Sequence, residues 1–235
     1  MIDLSKMINE EGIIIPDRKK QENVVLQFTS VYESYVKAHK QEQILDRFIL
    51  KCFNHQFCCH KQTGKISLSR FTEQKRGVWR ADTHGIIPLY HDNGITGGVE
   101  QSMPEEKAIL LPEDGKRENI RFVCYPFWAD DTIFRILPKQ EYDFSFLYGL
   151  LKNQADLSLD TNSDDQAVLP MGSLNYLEIP LFPEKLRIQF QKEMKPFFSE
   201  INTLRKKQRM LTTIFYDLCE RYIPQYVCGG VSKCQ

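Results

Sequence analysis

Apolar residues recur alternately four and three positions apart over two long stretches of the chain. In the first, Val24, Phe28, Val31, Tyr35, Ala38, Glu42, Leu45, Ile49 and Cys52 mark the repeat. In the second, the marks are Phe190, Met194, Phe197, Ile201, Leu204, Gln208, Leu211, Phe215, Leu218 and Tyr222. This spacing is that of a coiled-coil seam, and it predicts long helices over 20–58 and 184–222. The two windows have the same length, so each helix would be about 58 Å long. Each seam has one polar interruption, Glu42 and Gln208, of the kind that fixes register. The first window holds no Pro or Gly. The second contains Pro196, which predicts either a kink or the true start of that helix.

Between the seams the texture changes. Gly, Pro, Asn and Asp punctuate short β-prone runs at Ile86–Tyr90, Ala108–Leu111, Ile120–Tyr125 and Thr132–Leu137, which predict strands. A helix over Phe144–Asn153 follows Asp143, and Asp160–Gln166 reads as a polar loop. Leu174, Leu177 and Ile179 then end a short apolar run. Pro180 and Pro183 fix an extended corner, because each ring locks its own φ and keeps the preceding residue out of the helical region. Glu184 opens the second long helix with an acid in its first turn, where the helix dipole favours it. The expected fold is α+β: a domain with a twisted, mainly antiparallel sheet over 61–183, an N-terminal segment and long helix over 1–60, and a C-terminal helix and tail over 184–235. Ile13-Ile14-Ile15-Pro16 echoes Leu177-Glu178-Ile179-Pro180, a weak internal repeat.

Four pieces of this middle segment stand in a telling order. They are Pro88-Leu89-Tyr90-His91-Asp92-Asn93-Gly94-Ile95-Thr96-Gly97, Pro126-Phe127-Trp128-Ala129-Asp130-Asp131-Thr132-Ile133-Phe134, Phe146-Leu147-Tyr148-Gly149-Leu150-Leu151, and the Ile179-Pro180-Leu181 corner. In this order they resemble the specificity (S) subunits of type I restriction–modification enzymes, in which a target recognition domain hands over to a long conserved helix. The resemblance covers 85–222 and is only helical in kind over 20–58. Leu111-Pro112-Glu113-Asp114-Gly115-Lys116-Arg117 stands where family members often carry a Gly-x-x-Gly turn, so the DNA sequence that is read cannot be carried over. Complete members have two recognition domains and two conserved helices. This chain looks like the C-terminal half of such a subunit, with a remnant of the preceding corner at Ile13–Pro16.

Composition narrows the classes. The 31 basic and 31 acidic residues leave no net charge, which argues against a generally basic nucleic-acid coat protein. No apolar run approaches the ~20 residues of a membrane span, and the first residues hold no apolar signal core, so a cytoplasmic location is expected. Seven cysteines without framework spacing fit reduced thiols better than disulfides. Charge is locally segregated. Lys61, Lys65, Arg70, Lys75, Arg76 and Arg80 stand against Glu73 alone over 61–80, and Lys116, Arg117 and Arg121 form a second group. Yet 61–183 holds 13 basic and 18 acidic residues. Diffuse attraction to phosphate is therefore weak and contacts have to be local. Over 184–222, nine basic and five acidic residues suit an exposed helix face.

Catalytic signatures are mostly absent: no two prolines are adjacent, as the Pro-Pro-aromatic methyltransferase motif requires, and there is no GxGxxG, P-loop or HExxH. Glu113-Asp114-Gly115-Lys116 superficially resembles a nuclease metal site, but a hairpin turn explains an Asp-Gly pair better. Cys52, His55, Cys58, Cys59 and His60 have tempting metal spacing. Zinc needs four converging ligands, usually from more than one element, so a packed helix end is the better reading. Gly94-Ile95-Thr96-Gly97 matches an RNA-binding GxxG loop but lacks that module's flanking helices, and Asn93-Gly94 suits a turn with positive φ.

The expectation is a non-catalytic DNA-reading subunit that directs methylation and cleavage by its partners, with loops in the major groove, where base edges carry a distinct donor/acceptor code. Tyr90, His91 and Asn93 are candidates for base contact, Lys75, Arg76, Arg80, Lys116 and Arg117 for phosphate or guanine, and Gln166 for adenine. The resemblance implies double-stranded DNA, modification (methyltransferase) subunits and restriction subunits as partners, with a homodimer as one way to bring two recognition domains together. S-adenosylmethionine is expected on the modification subunit; no cofactor and no metal is expected on this chain. Two alternatives stand beside it: a truncated remnant that binds partner subunits without reading DNA, and a cryptic nuclease or methyltransferase.

Overall fold

Both seams form helices, and both run longer than their windows. In the computed structural model, which describes residues 17–80, 85–153 and 171–227, α1 spans Arg18–Cys58 and α5 spans Glu184–Val227. Asp17 sets the start of α1: its carboxylate accepts the Lys20 N–H at 3.0 Å and its carbonyl accepts the Gln21 N–H, the bonds of an N-cap. Pro196 does not mark the start of the second helix. α5 begins at Glu184, directly after the Pro183 corner, and continues through Pro196. The echo at Ile13–Pro16 lies outside the described residues.

The chain divides into two compact units, one formed by the parts of the two helices up to Ile44 and from Thr203, the other by Leu45–Asn202. In the helical unit the seam residues meet as an antiparallel pair. Phe28 meets Phe215 edge-on at 5.3 Å between ring centroids, and Tyr222 Oη lies 3.4 Å from Gln27 Oε1. The two polar interruptions find each other. Gln208 Nε2 donates to Glu42 Oε2 at 2.7 Å, and Arg205 Nε donates to Glu42 Oε1 at 2.6 Å. A slip of one turn would bury these groups without partners, which is how a polar pair fixes register.

Burial by itself would raise the Glu42 carboxyl. The charge and hydrogen bond of Arg205, helped by Gln208, outweigh it and hold the group below the ordinary carboxylate range. A depressed carboxyl contributes stability that is fully present above its unfolded pKa and is lost as pH falls through the folded one. The helical unit is therefore expected to lose melting temperature on acidification below the ordinary carboxylate range. Glu42→Gln is expected to flatten that acid limb in circular-dichroism melts; an unaltered limb would mean the charge of Glu42 contributes nothing.

The sheet-bearing unit is built on both faces of one central sheet. In chain order it contains β1 (Gly64–Ser67), a single helical turn α2 (Leu68–Phe71), β2 (Thr72–Arg76), β3 (Ile87–His91), β4 (Gly94–Val99), β5 (Ala108–Pro112), β6 (Arg121–Val123), β7 (Trp128–Ala129), β8 (Ile133–Pro138), α3 (Phe144–Asn153), α4 (Met171–Tyr176) and β9 (Glu178–Leu181). The strands fall into three sheets, ordered β2-β8-β5-β6, β4-β3-β7 and β1-β9. Every pairing is antiparallel except β3 with β7.

β5 is buried throughout because each of its faces meets a core. Ile109 and Leu111 join Phe134 and Ile136 of β8 against α3 and the proximal helix segments, among them Ile49, Phe53, Phe146 and Phe190. Ala108 and Leu110 pack the other way, with Ile133, Phe127, Tyr90 and Ala129. Gly149 lets α3 approach α1: a Cβ there would lie 2.4 Å from Phe53 Cδ2. The first strand and the last, β1 and β9, pair with Ile66 opposite Ile179, so the Ile-Pro corner closes the body where it opened. At that corner Arg187 is buried, paired with Asp143; its Nε donates to the Phe182 carbonyl at 3.2 Å, and its guanidinium lies 4.8 Å from the Phe71 ring centroid.

Candidate functional site

Four connections converge at the end of the sheets where β3 and β7 finish. The β3–β4 hairpin turns through Asp92–Asn93, with Gly94 at φ 127°. Asp130, just after β7, donates its N–H to the Tyr90 carbonyl at 2.9 Å. The Asp114–Gly115 turn after β5 bonds the same region: Glu113 N–H donates to the Thr132 carbonyl at 2.8 Å, and Gly115, at φ 65°, donates to Pro112. The segment after β2 runs along the free side of β7, with Val78 N–H donating to the Ala129 carbonyl at 2.9 Å.

This assembly brings together most of the candidate residues. His91 Nδ1 lies 2.9 Å from Oδ2 of the buried Asp130, which fixes the ring and leaves Nε2 as its free edge. Asn93 is exposed at the hairpin tip; its backbone N–H donates to Asp92 Oδ1, and its carbonyl lies 3.4 Å from Arg121 Nη2. Arg76 donates from Nε to the Asp131 carbonyl at 2.7 Å and from Nη2 to Glu113 Oε1 at 2.9 Å. Lys116 lies 3.4 Å from Asp114, while Arg117 is exposed on the 3-10 turn Arg117–Asn119 and has no ion pair with another described residue. Arg80 stacks over the Trp128 ring at 4.5 Å and reaches Gln101.

Two candidates belong elsewhere, and one cannot be placed. Tyr90 is 3% exposed and its hydroxyl bonds Tyr125. On β3 this side chain points inward, into the core that it shares with Phe127 and Ala129. Lys75 faces Glu105 at 3.0 Å and Glu73 at 3.3 Å; the Glu105 bond and then that of Glu73 raise its pKa. Glu105 also pairs with the buried Arg135. Gln166 lies outside the described residues.

The sequence reading missed the acidic partners. Glu113, Asp114 and Asp130 each hold a basic candidate, so Arg76, Lys116 and His91 are positioned by acidic partners. The Arg76–Glu113 and Lys116–Asp114 pairs are partly exposed; such pairs are worth little, and a phosphate can replace the carboxylate at small cost. Arg121 was legible only as part of a basic group; its packing under Asn93 was not. The Asp-Gly pair is a turn, and Glu113 beside it is engaged by Arg76. Cys58 and Cys59 are exposed at the end of α1, and among the described residues no three His, Cys, Asp or Glu side chains are grouped to hold a metal.

An α+β body of mostly antiparallel strands, preceded and followed along the chain by a long helix, is the class of protein these observations define. The same fold is found in the solved S subunit of a type I restriction–modification system from M. genitalium, with a TM-score of 0.59 and 18% identity. The match covers 92% of this chain and 62% of that one, so the chain spans about three fifths of its length. Two further solved structures match with lower TM-scores. The HsdS subunit from Thermoanaerobacter tengcongensis matches with 11% identity and a TM-score of 0.41, over 91% of this chain and 60% of that one. A structure of a type I R-M system, described for its complex assembly and conformational transition, matches with 10% identity and a TM-score of 0.43, over 92% and 61%. No protein-family model matches the chain, and no curated protein matches it. Among the described residues no helix is long and apolar enough to cross a membrane.

Proposed function

We propose that the chain is a DNA-reading specificity subunit of a type I restriction–modification system, with 61–183 as its target recognition domain. The observation that carries this reading is the convergence of His91, Asn93, Arg76, Lys116 and Arg117 on one loop-bearing end of a body with an S-subunit fold. Asn93 offers an unencumbered amide, the group that pairs in bidentate fashion with adenine in the major groove. Arg117, Lys116 and Arg76 supply the phosphate contacts that set position. The long helices act as spacer and docking surface for modification and restriction subunits. Methylation and cleavage are then the partners' chemistry, with S-adenosylmethionine on the modification subunit, and the complex works in the cytoplasm on double-stranded DNA. One recognition domain reads one half-site, and two copies of it related by a twofold axis would read an inverted repeat. The base and phosphate contacts can be separated by mutation. Asn93→Ala is expected to relax preference at one base pair by about 1–3 kcal/mol. Arg117→Ala is expected to weaken binding to all sequences and to reduce the salt slope by about 0.9 for each phosphate it no longer neutralises. Fluorescence anisotropy on a duplex panel reads both, and profiles unaltered by either change would remove this end of the sheets as the reading surface.

A further inference from the structure

The segment Arg76–Arg80 is fixed on both sides, yet it holds out an aromatic ring. Gly77 N–H donates to the Ile133 carbonyl at 2.8 Å, and a Cβ at Gly77 would lie 2.0 Å from the Asp130 carbonyl oxygen. The Val78 N–H is taken by Ala129, and its carbonyl accepts the Trp128 indole N–H at 2.7 Å. Arg80 is held over the Trp128 face. The backbone there is therefore tied to β7 and the turn that follows it. Between these anchors Trp79 is 64% exposed and Val78 is half exposed. Trp79 makes no ring contact with another described residue. A large indole that fills no core, on a pinned segment, between two arginines and beside the loops bearing His91 and Glu113, has the composition of a nucleic-acid stacking platform. Cations reach the phosphates while the ring takes a base face, and apolar side chains in such positions wedge between base steps.

We infer that Trp79 contacts DNA by stacking on a nucleobase, at a step it opens between phosphates engaged by Arg76 and Arg80. This rests on the DNA-reading function proposed above. The chain contains two tryptophans, and comparison with Trp79→Phe separates the emission of Trp79 from that of Trp128. Titrating the full chain with duplex DNA is expected to quench tryptophan emission, and Trp79→Phe is expected to remove most of that quench while leaving the melting curve unchanged. Trp79→Ala is expected to weaken binding roughly 5- to 150-fold, the range that follows from losing one base–aromatic stack. Labelled-duplex anisotropy, run in parallel, separates the two ideas. Binding by the unaltered chain without quench, and with full affinity in Trp79→Ala, overturns the stacking interaction and leaves the DNA-reading function standing. No binding of any duplex by the unaltered chain overturns both.

Discussion

Replacing Arg187 by alanine is expected to cost the sheet-bearing unit about 3–5 kcal/mol, a large share of the roughly 5–15 kcal/mol that holds an ordinary domain together. The reason is not the worth of the ion pair. Arg187 and Asp143 are both buried, and truncating the arginine leaves a carboxylate in the interior without its counter-charge. It also strips the Phe182 carbonyl of its donor and the Phe71 ring of the guanidinium packed on it. Replacing both partners together, by Asp143→Leu with Arg187→Leu, removes the orphaned charge and is expected to recover much of the stability. Urea unfolding of the three proteins measures this. A double variant no more stable than Arg187→Ala would mean that packing at the corner, not charge, is what Arg187 supplies.

Ile49→Asp is expected to abolish cooperative folding of the same unit. Ile49 is fully buried in the core where α1 meets α3 and α5. The substitution removes its apolar packing, which costs about 2–5 kcal/mol by itself, and places an unpaired carboxyl where neither water nor a cation reaches it. Leu26→Asp is the control: Leu26 is on the same helix but 68% exposed, and its change is expected to stay within about 0.5 kcal/mol. Thermal melts that fail to separate these two variants would show that the seam does not face a core.

The seam was legible because a helix repeats its environment every three or four residues. Each apolar mark from Val24 to Cys52 and from Phe190 to Tyr222 is read from spacing alone, and the polar marks Glu42 and Gln208 were legible as interruptions. That they bond each other was not, since they are far apart in sequence and Arg205, which completes the cluster, lies off the seam. Phe144–Asn153 was read to its ends because its apolar density is high. β4 was missed because three of its residues are glycine, with little strand propensity; it stands because β3 pairs with it. β2, Thr-Glu-Gln-Lys-Arg, carries no apolar alternation and is held as a strand by β8. The candidate site was legible as residue types but not as a site. Tyr90 and His91 are neighbours in sequence and point to opposite sides of the strand, one into the core and one toward Asp130. Sequence-distant acids, Glu113 against Arg76 and Asp130 against His91, are set by the fold and leave no local mark.

Selection of bound duplexes from a randomised pool tests the central claim most directly. The full chain, alone and with a modification subunit, would be incubated with the pool, and the retained DNA sequenced. The expected result is enrichment of one short motif, degraded at one position in the Asn93→Ala protein. An inverted repeat of that motif would mark two copies of the chain acting together. Retention of no DNA, or of DNA with no sequence preference under either condition, would contradict the account.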